Sequence, residues 1–151
     1  MKLLSAILFI TCIAITGCSE TNTPPAVDFK AMPVEQKFVT VAIGKPVDAS
    51  DPAVVRAKQL IERASISFKI PPIDVADQAY ASYKIAKQEA IDATAEQILE
   101  AVTLAHVPGA KMAFSEYCAM YLTLRKSGHP HSETMMGLKG IISTLTAPAK
   151  K

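Results

Sequence analysis

From Ser50 to Leu145 apolar residues return every three or four positions, and that period restricts this part of the chain to helices laid against one another. Ser50 or Asp51 can cap the first, with Pro52 in its opening turn and Val54, Ala57, Ile61, Ala64 and Phe68 on one face, until Pro71-Pro72 ends it. A second begins near Asp74 and runs through Val75, Ala79, Tyr83, Ala86 and Ala90. Thr94-Ala95-Glu96-Gln97 reads as a capping box whose reaching residue is Gln97. The third helix then sets Ala95, Ile98, Leu99, Val102 and Ala105 against a polar face of Glu96, Gln97, Glu100 and Thr103. Pro108-Gly109 closes it and opens a fourth, with Ala110, Ala113, Phe114, Tyr117, Tyr121 and Leu124 in phase and Gly128 as the stop. A fifth carries Met135, Leu138, Ile142 and Leu145 before Pro148.

Short connections between five such helices predict an all-α antiparallel bundle over residues 50–147, with a tail at 148–151. The composition suits it: 50% hydrophobic, 6% aromatic and no Trp describe an aliphatic core. The pattern argues against a tetratricopeptide array, because Lys87, Glu96 and Glu100 fall where its small and apolar positions belong. One strand-like stretch precedes the bundle, Phe38-Val39-Thr40-Val41-Ala42-Ile43, rich in β-branched residues and closed by Gly44. It is expected to lie extended on the helical body or to pair with a second copy or a partner. Ser19 to about Lys30, with Pro24-Pro25, reads as an extended tether able to reach roughly 40 Å at about 3.3 Å per residue.

The N-terminus has its own logic. Lys2 is followed by an apolar run, Leu3 to Ile15, that is shorter than the roughly 20 residues of a bilayer-spanning helix. That is the pattern of a targeting segment. It ends in Ile15-Thr16-Gly17-Cys18, which resembles the lipobox of bacterial lipoproteins. The resemblance implies a signal peptide over 1–17, cleavage between Gly17 and Cys18, palmitate-type acylation of Cys18, and residues 18–49 as lipidated Cys, tether and extended segment. It further implies a membrane held through the lipid, since several acyl chains, at about 0.8 kcal/mol per buried CH₂, anchor almost permanently. Ser19, not Asp, follows the cysteine. By analogy with Gram-negative lipoproteins, the expected address is the outer membrane, facing the periplasm.

Of three cysteines, Cys12 leaves with the leader and Cys18 takes the lipid, so Cys118 is the one remaining thiol and no intramolecular disulfide is available. Four residues from Phe114, it reads as a small buried hydrophobe rather than a redox thiol. With Lys2 gone, 15 basic side chains face 14 acidic ones, a formal charge of +1. With no Lys/Arg cluster larger than a pair such as Lys150-Lys151, such a balance argues against a nucleic-acid partner.

Little in the chain looks chemical. His129, His131 and Glu133 can be imagined as three metal ligands, but residues two apart are not helix neighbours, and the run reads as a polar turn with Glu133 in the first turn of the next helix. Glu96 and Glu100, one turn apart, read as structural carboxylates, and no cofactor beyond the covalent lipid is expected. Tyr80, Tyr83, Tyr117 and Tyr121 are the candidate binding residues: each pair is spaced three or four apart, and tyrosine suits interfaces. Core packing uses the same spacing.

Two segments, Asp77-Gln78-Ala79-Tyr80-Ala81-Ser82-Tyr83-Lys84 and Glu89 to Ala101, resemble the core of the carboxymuconolactone decarboxylase and alkylhydroperoxidase-like family. The resemblance implies an all-helical, oligomeric fold. The family's redox members carry Cys-x-x-Cys, a His and a Gly where this chain has Asp77, Tyr80, Lys84 and Asp92, so the thiol cycle is lost. Two functions follow as expectations. The first is a non-enzymatic envelope lipoprotein whose helical domain binds another envelope protein or a copy of itself. The alternative is an envelope enzyme or small-ligand carrier of that fold, with a pocket lined by the four tyrosines.

Overall fold

The computed structural model describes residues 28–147 and places six α-helices among them, with no strand. They are α1 (Val34–Ile43), α2 (Pro52–Phe68), α3 (Pro72–Gln88), α4 (Ala95–Ala105), α5 (Phe114–Lys126) and α6 (His131–Thr146). The expected signal peptide and lipobox, most of the tether and the whole of the tail lie outside the described residues. None of the six helices is long and apolar enough to cross a membrane.

The all-α reading holds, and the expected strand is corrected: Phe38 to Ile43 are helical. An isolated strand would leave its N–H and C=O groups without partners, whereas a helix satisfies them internally. Pro33 precedes the first turn, and Gly44, at φ 78, ends the helix by donating its N–H to the Thr40 carbonyl at 2.9 Å. Phe38, Val39 and Thr40 are buried where α1 packs on α2 and α3. Burial overrides the β preference of the branched residues.

The helix ends follow local chemistry. Asp51 caps α2 by accepting the Ala53 N–H at 2.8 Å, with Pro52 as the first helical residue. The Thr94–Gln97 capping box forms in both directions, Gln97 N–H to Thr94 Oγ1 at 3.1 Å and Thr94 N–H to Gln97 Oε1 at 3.0 Å. Three boundaries differ from expectation. α3 begins at Pro72, because proline is favoured at a first helical position. It ends at Gln88, with Ala90 already at φ 54. Residues 106–113 form a connection with Gly109 at φ 86, so Ala110 and Ala113 are not helical, and Glu116 reaches back to the Ala113 N–H at 2.6 Å to start α5.

α4 is the centre of the bundle, in contact with α2, α3, α5 and α6. Its burial runs nearly all round: Ile98, Leu99, Ala101 and Val102 are fully inaccessible, and so nearly is Thr103, expected on the polar face. Thr103 is accommodated because its hydroxyl donates to the Leu99 carbonyl at 2.6 Å. What remains polar on α4 is a narrow edge holding Glu96 and Glu100, and Arg56 on α2 bridges both, Nε to Glu96 at 2.8 Å and Nη2 to Glu100 at 2.7 Å. The two carboxylates are thus struts between helices.

Candidate binding surface

Because α1 lies across α2 and α3 as a bar of ten residues, it leaves an apolar recess on each flank. Between α1 and α3 the recess is floored by Val34, Phe38, Val41 and Ala76, edged by Ile73 and Tyr80, and has a volume of 230 Å³. On the other flank Phe38, Ala42, Ala53, Ala57 and Ala95 line a recess of 210 Å³, edged by Tyr83. An apolar cavity of about 150 Å³ already holds a benzene ring, so each has room for one large side chain.

The two edge tyrosines belong to one ridge. Their ring centroids are 6.1 Å apart, the Lys84 ammonium stands 5.5 Å from the Tyr80 ring centre, and that of Lys87 stands 5.8 Å from the Tyr83 ring centre. Helical spacing aligns Ile73, Asp77, Tyr80, Lys84 and Lys87 along α3. Lys37 adds a third cation at the α1–α3 recess. Against these stand Asp77 and, at the other recess, Glu96, which Arg56 already engages.

The other two candidate tyrosines are elsewhere. Tyr117 and Tyr121 are fully buried, so the four rings do not line one pocket, and no partner can touch this second pair without opening the core. Tyr121 gains an internal partner instead: its hydroxyl is 2.8 Å from His131 Nδ1, whose Nε2 is 3.4 Å from Glu100. A chain of polar groups therefore runs from α5 through α6 and α4 to Arg56 on α2. Its residue types are those of a general-base relay, but the hydroxyl at its end is sealed from substrate. Burial pushes the Tyr121 hydroxyl up to about 12, against the opposing pull of Arg125.

His129 and His131 diverge: His129 Nδ1 is 3.7 Å from Glu133, while both nitrogens of His131 face the relay. Among the described residues no group of three His, Cys, Asp or Glu side chains is gathered in metal-binding range. Cys118 is buried, and desolvation pushes its thiol up to about 12, so it carries no thiolate for redox work. Gly17 and Cys18 lie outside the described residues.

The α1 side of the recesses, Val34, Lys37, Phe38, Val41 and Ala42, was hidden from sequence reasoning by the strand-like composition of the segment. The signal that reveals it is the punctuation, Pro33 before and Gly44 after a span of ten residues. No family model, curated protein or solved structure matches the chain.

Proposed function

We propose that this is a lipid-anchored bacterial envelope protein whose helical domain works by docking, without catalysis, onto an amphipathic helix of another envelope protein. The anchor is Cys18, acylated after cleavage behind Gly17, and the domain faces the periplasm from the outer membrane. The observation that carries the docking reading is the pair of apolar recesses beside α1 with Tyr80 and Tyr83 at their edges. Helix-in-groove recognition uses apolar anchors at one-turn spacing entering such recesses, with charged flanks setting orientation. Lys37, Lys84 and Lys87 give the rim a net positive charge, which selects an acidic partner helix.

Replacing Cys18 by Ser tests the anchor. The variant is expected to lose acylation and to retain its leader uncleaved. A variant that is processed between residues 17 and 18 and still partitions into detergent would refute it.

A further inference from the structure

A third recess lies between the α2–α3 connection and residues 106–113, and its chemistry differs from that of the α1 grooves. Its volume is 590 Å³, inside the roughly 300–1,000 Å³ of small-molecule pockets. The wall is aromatic. Phe68 meets His106 edge-on at 66° and 4.7 Å between centroids, and the buried Phe114 and Tyr117 back it nearly perpendicularly at 5.2 and 5.0 Å. Lys69 and Lys111 are the charged lining residues, and no carboxylate lines the recess. Neither lysine forms an ion pair among the described residues.

Two details make the site more than a surface dip. Lys69, not the usual glycine, occupies the left-handed position after α2, at φ 56, so the turn sets a basic residue at the rim of the recess. Burial holds the His106 imidazole below its ordinary titration range, which favours the neutral ring as a stacking surface and a hydrogen-bonding edge.

We propose that this recess binds a small aromatic carboxylate, its ring against the half-buried Phe68 and His106, with the buried Phe114 behind them, and its charge between Lys69 and Lys111. Edge-to-face stacking and charge-assisted hydrogen bonds are the two forces such walls offer. The site shares no lining residue with the α1 recesses, so it goes beyond the docking function and does not depend on it.

The test is a titration of the full-length chain by nuclear magnetic resonance with three probes: benzoate, cyclohexanecarboxylate and benzyl alcohol. Benzoate is expected to give saturable shifts centred on Phe68 and His106 and to bind more tightly than either comparison compound. Lys111→Gln, on an exposed connection, should weaken it about tenfold, the effect of one charge-assisted contact. Lys69→Asn, which tolerates the left-handed backbone, should do the same. Shifts that never saturate, equal affinity for benzyl alcohol, or an unchanged affinity in Lys111→Gln would each overturn the proposal.

Discussion

Tyr80 and Tyr121 show how one residue type serves two ends in this chain. Tyr121 is sealed in the core and bonded to His131, whereas Tyr80 keeps a face at the edge of a recess under the Lys84 ammonium. Spacing alone could not separate them, since a three- or four-residue interval serves a groove and a core equally; burial decided it. The buried hydroxyls and thiol also set an alkaline limit. Cys118 and Tyr121, with ordinary values of 9.0 and 10.0, are pushed up to about 12, and Tyr117 is raised by the same desolvation. The unfolded chain releases these protons first, so their contribution to stability is complete below the unfolded values and is lost as pH climbs toward the folded ones. Denaturant unfolding at about pH 8 and about pH 11 should show a fall in stability that shrinks in Cys118→Ala and Tyr121→Phe. A flat profile would contradict the burial of these groups.

Among the elements, α2 and α4 were the most legible, because each has a capping side chain and a clean apolar stripe. α1 was not, because a six-residue stretch with four β-branched residues, Val39, Thr40, Val41 and Ile43, favours a strand on composition and only its packing makes it a helix. The start of α5 was misplaced for a related reason: Pro108-Gly109 marks a turn without saying how long the connection after it runs. These readings make separable predictions. Removing the cap in Thr94→Ala should cost about 1 kcal/mol, and Phe38→Ala about 3–5 kcal/mol, the loss typical of a buried aromatic. Urea unfolding measures both. If Phe38→Ala were nearly silent, α1 would be an appendage, and the recesses on its flanks would have no fixed wall.

For the molecule as a whole, the fold class was readable because the helical period extends over most of the domain, while the proposed docking surface could be reached from the sequence only in part. Tyr80 and Tyr83 could be named from sequence; the recesses they edge could not, since these exist only where α1 crosses two other helices. Among the described residues Cys118 is the one cysteine, buried and unpaired, so thermal unfolding of the helical domain should be the same with and without reductant. The central claim is that the domain docks a partner beside α1. The most direct measurement is in-cell photo-crosslinking from a photoreactive residue at position 80, with position 66 on α2 as the comparison, since Ile66 is 79% exposed and lines neither recess. A discrete crosslinked protein from position 80, absent from position 66 and lost when Lys84 and Lys87 are changed to Glu, is the predicted result. Equal crosslinking from both positions, or a product at position 80 indifferent to those charge reversals, would contradict it.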